Sequence, residues 1–152
     1  MITIKQNKKC DTRTCDVNEV SKYELLENSR THIEDVRKGL YFFAHALIEA
    51  GKEHDYTKLT DIDGFYRDFK VKFETHDWWD KHRQEERHHL KDAEYIQDDV
   101  NLIDILEMIT DGVMAGLART GEYRKEEISD KLLRKAFDNT IKLLLANVEL
   151  KK

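Results

Sequence analysis

Residues 102–117, LIDILEMITDGVMAGL, decide how this chain folds. Leu102, Ile105, Leu106, Ile109, Val113 and Leu117 recur at three- and four-residue steps, which gathers apolar side chains on one face of an α-helix. Asn101 or one of its neighbours, just ahead of the run, starts the helix, and Asn is a residue type whose side chain caps helix starts. Gly121, just behind it, suits the left-handed conformation that ends helices. The spacing predicts a strongly apolar helix from Leu102 to about Ala118.

Outward from this helix the same period returns. Ile33, Val36, Leu40, Phe43 and Leu47 predict a core-facing helix from about Val20 to Ala50, with Gly51 as its C-terminal cap. Asp61 or Asp63 is placed to cap a segment carrying Phe65, Tyr66, Phe69 and Phe73, and Trp78–Leu90 reads as a further helix rich in His, Arg and Glu. Residues 91–100 are a polar connection. Ile128, Leu132, Leu133, Phe137 and Ile141, with Leu144 or Leu145, predict a last helix from about Lys125 to Val148. Proline is absent and Gly numbers only six, a composition that suits helices joined by short turns. The expectation is an all-α fold, a single helical bundle of five or six helices over residues 18–152, behind a polar arm at 1–17 that is short and strand-like or irregular.

The 152 residues are 39% apolar and 38% charged, with a formal net charge of −5. That balance lacks the basic face needed to grip a duplex nucleic-acid backbone. It leaves a phosphate substrate open, because bound cations can supply positive charge locally. Cys10 and Cys15 have no second pair to complete a zinc site and read as free cytosolic thiols. No run approaches the ~18 apolar residues of a membrane span, and the N-terminus lacks the apolar stretch of a secretory signal. The expected setting is the cytoplasm, with no membrane partner; whether the chain forms a homo-oligomer stays open.

The histidines carry the chemistry. His82, His88 and His89 fall within eight residues, and His54 is followed directly by Asp55. Neutral imidazole with carboxylate is a ligand set for Zn²⁺, Mn²⁺, Fe²⁺, Ni²⁺ or Co²⁺. Neighbouring helical side chains point about 100° apart, so His54 and Asp55 meet one ion only where the backbone is irregular or a helix begins. His32 sits four residues before Val36 and eight before Leu40, on the stripe expected to be buried, where a ligand role and a plain core His bonded to a carbonyl are both open. Asp104, Glu107 and Asp111 share one face of the 102–118 helix, as ligands or as a solvated acidic stripe. On a continuous helix His82, Glu86 and His89 share a face while His88 turns about 100° away, which favours His82 and His89 over His88.

Taken in order, His32, His54-Asp55 and Asp111 resemble the H…HD…D signature of the HD superfamily of metal-dependent phosphohydrolases. More narrowly, EHDYTKL is similar to the HD-x-[ST]-K element of an uncharacterised family of small phage and bacterial proteins. That family also has a His about 22 residues upstream, a W-x-x-H segment with a paired His-His (here Trp79, His82, His88 and His89), and an E-M-[IC]-x-D helix (here Glu107–Asp111). The likeness spans about residues 30–120. It implies an HD-type helical bundle with one divalent transition metal, Mn, Fe, Co, Ni or Zn, held by His32, His54, Asp55 and Asp111. A second ion would draw on His82, His89 or His88, although two-metal relatives space these histidines farther apart. It implies hydrolysis of a small-molecule phosphate ester, a nucleotide by family analogy, in which Asp55 orients a metal-activated water. Lys58 and Arg87 would hold the phosphate, with Arg83 as the weaker choice, and Glu86 or Glu107 would move protons. Trp78 or Trp79 could stack on a base or belong to the core. Two other outcomes are compatible with these residues: a di-iron oxygenase, as some HD relatives are, or a non-catalytic binding or host-interaction protein that keeps metal for folding.

Overall fold

A computed structural model describes residues 1–123 and 125–151. Its elements run β1 (Ile2–Lys5), α1 (Lys22–Glu53), α2 (Tyr56–Thr60), α3 (Ile62–Lys70), α4 (Asp77–Glu85), α5 (Leu102–Thr120), α6 (Asp130–Ala146) and β2 (Val148–Lys151). The chain is helical, as expected, apart from one small sheet in which β1 and β2 pair in parallel, Ile2 opposite Val148 and Lys5 opposite Lys151. No described helix is long and apolar enough to cross a membrane.

The chain divides into two compact units, Met1–His45 with Lys142–Lys152, and Ala46–Ile141. Of the two readings open for the N-terminal arm, Ile2–Lys5 takes the strand-like one, its backbone groups paired with β2.

In the first unit, Ser21 and Glu24 start α1 with a reciprocal capping box. The Glu24 amide donates to Ser21 Oγ at 3.2 Å, and the Ser21 amide donates to Glu24 Oε2 at 3.1 Å. Expectation and structure differ on α1 in two respects. The helix runs through Gly51 to Glu53, since glycine only weakens a helix and stops it where the backbone turns left-handed. No residue of α1 is buried, and Ile33, Val36 and Leu40 are exposed. Apolar periodicity names the apolar face of a helix but not what covers it. Cys10 and Cys15 are free thiols.

The second unit is built on α5. Asn101 Oδ1 accepts from the Ile103 amide, and the Asp104 carboxylate accepts from the Asn101 amide. Gly121, at φ 75°, closes the helix, its amide bonding Leu117 O at 3.1 Å. Ile105 and Met108 of α5 pack with Leu90, Val100 and Ala136 as the apolar core, flanked by Ile96, Leu102, Ile128 and Leu132.

Beside that core, α3 and α4 form an aromatic corner. The Phe65 and Trp78 ring centroids are 4.7 Å apart. Gly64 allows this approach, since a Cβ there would lie 2.6 Å from Trp78 Cδ1. Asp61 caps α3 by accepting from the Gly64 amide. Asp68, buried on α3, accepts from the Trp78 and Trp79 amides at 2.9 Å each and from the Thr75 hydroxyl at 3.0 Å, satisfying the orphan amides of α4 from a neighbouring helix. Burial pushes the Asp68 carboxyl pKa up, but these donors outweigh it and the net shift is down. Trp78 is thereby core. The expected helix to Leu90 stops at Glu85, because Glu86 leaves helical geometry at φ −87°, ψ 112°.

Candidate metal centre

His54 and Asp55 occupy the turn between α1 and α2. Asp55 adopts the left-handed conformation, φ 56° and ψ 19°. This is the irregularity that lets two consecutive side chains face one point. Asp tolerates the conformation better than most residues, and the Asp55 amide is held by Glu86 Oε2 at 3.2 Å.

Two groups of side chains lie within coordinating reach, and both contain Asp55. One is His54, Asp55 and His88; the other is Asp55, His82 and His89. In the first, Glu107 Oε1 accepts from His54 Nδ1 at 2.9 Å and stands 3.0 Å from His88 Nδ1, without hydrogen-bond alignment to the latter. The Nε2 faces are turned inward: His54 Nε2 is 3.5 Å from Asp55 Oδ2 and 3.7 Å from Asp111 Oδ1, and His88 Nε2 is 3.7 Å from Asp55 Oδ1. Glu107 therefore orients the His54 imidazole, as carboxylates behind metal-ligating histidines do. In the second group, His82 Nε2 lies 3.4 Å from Asp55 Oδ1 and 2.9 Å from His89 Nε2.

The donor set fits divalent metal ions. Asp55 Oδ1 and both ring nitrogens of His88 are buried without a hydrogen-bond partner in the described structure, a costly state for polar atoms that a cation would relieve. Burial, helped by the Lys58 charge, pushes the His82 pKa down to about 4, and burial with the neighbouring His88 and His82 pushes His89 down to about 3. Both are neutral rings near pH 7, the form that ligates metal. Burial acts on His88 in the same sense, but Glu107 and then Asp55 and Asp111 outweigh it and the pKa rises.

These shifts give a pH dependence. In the unfolded chain an imidazole takes up its proton near pH 6.5. In the folded chain His82 and His89 resist until about 4 and about 3. The unfolded state then binds more protons between these limits, so stability falls as pH drops from 6.5 towards 4. His88, shifted the other way, offsets part of the loss. Urea midpoints of the metal-free protein should decline over that window; a flat profile would contradict the assignment.

His32 is exposed on α1 and belongs to no convergent group among the described residues. His88 is brought to His54-Asp55 instead. It reaches them because the chain after Glu85 is no longer helical, so both His88 and His89 turn inward rather than splaying apart.

The remaining expected residues divide clearly. Asp111 lies beside His54 but in neither group. Lys58 Nζ is paired with Asp55 Oδ2. Arg87 does not reach the site: its fork is bidentate to Asp104, at 2.8 and 2.9 Å, with a further bond to Asp99. Arg83 is engaged by Asp80 and Asp92. Glu86 is committed to three donors, the Asp55 and Thr57 amides and the Thr57 hydroxyl, so it has little freedom to shuttle protons. Thr57, buried, is a residue that the sequence gives no reason to single out beyond its place in EHDYTKL.

Two cavities adjoin the groups. One of about 310 Å³ is apolar, walled by Leu47, Ala50, Leu106 and Met114, with His54 and Asp111 at its edge. The other, of about 260 Å³, is lined by Lys58, Trp79, Arg83, His88, His89 and Arg119 among others. Compared with protein-family models, with curated proteins and with solved structures, the chain matches none.

Proposed function

We propose that this chain is a metal-dependent phosphohydrolase of the HD type, acting on a phosphate ester of the nucleotide class. The observation that carries the reading is Asp55, one carboxylate common to two clusters of inward-facing imidazoles, with an oxygen that has no protein donor. His54, His88 and Asp55 would hold one divalent ion, and His82, His89 and Asp55 a second; Mn, Fe, Co, Ni and Zn all suit imidazole with carboxylate. Such ions supply Lewis-acid charge and lower the pKa of water to near neutrality.

The chain's own side chains do the rest. Glu107 holds His54, so that this ring need not reorient on binding, and stands 3.0 Å from His88 Nδ1. Lys58 and Arg119 line the cavity that opens on His88 and His89, where they would meet phosphoryl oxygens, and Trp79 gives that cavity an aromatic wall. Glu86 and Glu107 are already engaged. Asp111, partly exposed and lining both cavities, is the carboxylate with room to take a proton from the attacking water at its Oδ1.

Elemental analysis of the purified protein, followed by an ester screen with Mn²⁺, Co²⁺, Ni²⁺ and Mg²⁺ on nucleotides and cyclic dinucleotides, tests the reading. Bound metal, hydrolysis lost on chelation and its return with added metal are expected. Metal-loaded protein that cleaves no ester would overturn it. In that event iron with dioxygen consumption would point to an oxygenase, and unfolding on chelation without turnover to a binding protein.

A further inference from the structure

We infer that Glu86 acts through the Thr57 hydroxyl as a positioning residue that fixes which nitrogen of His82 carries the proton, leaving Nε2 bare toward Asp55 and His89. The consequence for metal binding rests on the reading above, whereas the tautomer follows from this chain's hydrogen bonds alone. Thr57 Oγ1 stands 2.6 Å from Glu86 Oε1 and 2.6 Å from His82 Nδ1, and Thr57 and His82 are both buried. A hydroxyl has one proton to give. Glu86 Oε1 also accepts from the Thr57 amide at 3.1 Å, and Oε2 accepts from the Asp55 amide, which fixes the carboxylate as an acceptor. The Thr57 proton therefore goes to Glu86. Its oxygen is left to accept, and His82 Nδ1 must donate.

The relay matters because His82 has a competing choice. With the proton on Nε2, the ring would donate to His89 Nε2 at 2.9 Å, an adequate N–H···N bond. That tautomer presents a proton where a ligand must present a lone pair. Removing the relay would allow both tautomers to populate, and the Asp55–His82–His89 group would lose affinity by about 10–100-fold, the usual effect of deleting a group behind a ligating histidine. The same carboxylate holds the left-handed Asp55 turn, so a single side chain aligns ligands on two segments.

The test is long-range ¹H–¹⁵N NMR of the histidine side chains in full-length, metal-free protein near neutral pH, with Mn²⁺ and Zn²⁺ titrations in parallel. Wild type should carry the His82 proton on Nδ1. Thr57→Val, which keeps the branched shape, should shift population to Nε2–H and weaken one of the two ions by 10–100-fold, while Thr57→Ser should restore both readouts. A wild-type His82 protonated on Nε2 overturns the inference without any variant, as does a folded Thr57→Val protein with unchanged tautomer and affinity. If wild type takes up no metal, the phosphohydrolase reading fails, and the NMR result still decides the relay.

Discussion

Asp55→Asn should, on the metal-dependent reading proposed above, empty both metal groups at once and lower ester hydrolysis by at least about 100-fold, since loss of a mere orienting group already costs 10–100-fold. The expectation follows from one carboxylate serving both clusters. Asparagine is a suitable replacement because it tolerates the left-handed backbone that Asp55 adopts, so the turn should survive. It supplies a neutral oxygen in place of an anionic one and leaves Lys58 without its partner. His89→Ala, which touches only the second cluster, should remove one ion and spare the other. Metal content by elemental analysis separates the two variants. Asp55→Asn protein with full metal content would show that the shared carboxylate is not a ligand.

The second large effect is on stability. Arg87→Ala strips the bidentate partner from Asp104, which is 3% exposed at the start of α5. An uncompensated buried carboxylate costs 3–5 kcal/mol. Arg87 is itself about a third exposed, and Asp104 still accepts from the Asn101 amide. A loss of about 2–3 kcal/mol is therefore expected, roughly 5–10 °C in Tm for a chain of this size. On the phosphohydrolase reading proposed above, the KM for phosphate esters should be unchanged, because the guanidinium pairs with Asp104 of α5 and not with the imidazoles. A raised KM at unaltered Tm would restore the phosphate-gripping role that residue type suggests.

The contrast shows what a linear sequence discloses. α5 was legible throughout, because its cap, apolar stripe and terminal glycine are all local features. So was the closeness of His54 and Asp55, since adjacent ligand types need no fold to be neighbours. Gly51 misleads because nothing at one position distinguishes a glycine that stops a helix from one that lies within it. A helix to Leu90 would turn His88 away from the face that His82 and His89 share. The actual end at Glu85 depends on Glu86 being drawn to the amides of Asp55 and Thr57, some thirty residues earlier. The Thr57 hydroxyl and the Arg87–Asp104 fork likewise exist only once distant segments meet. Pairwise chemistry of that kind leaves no periodic trace.

His82 is among the least exposed side chains of the whole described chain, and Asp104, Glu86 and His88 are buried with it. Two of the side chains that would bind ions, His82 and His88, thus also fill the interior, where aliphatic residues would ordinarily pack tighter and suffer no desolvation. Selection for heat resistance alone would then favour replacing these two imidazoles with apolar side chains of similar volume. A hardened variant obtained in that way would be expected to have surrendered its chemistry, and one that retained it would have to gain its robustness from the surface and the helix ends.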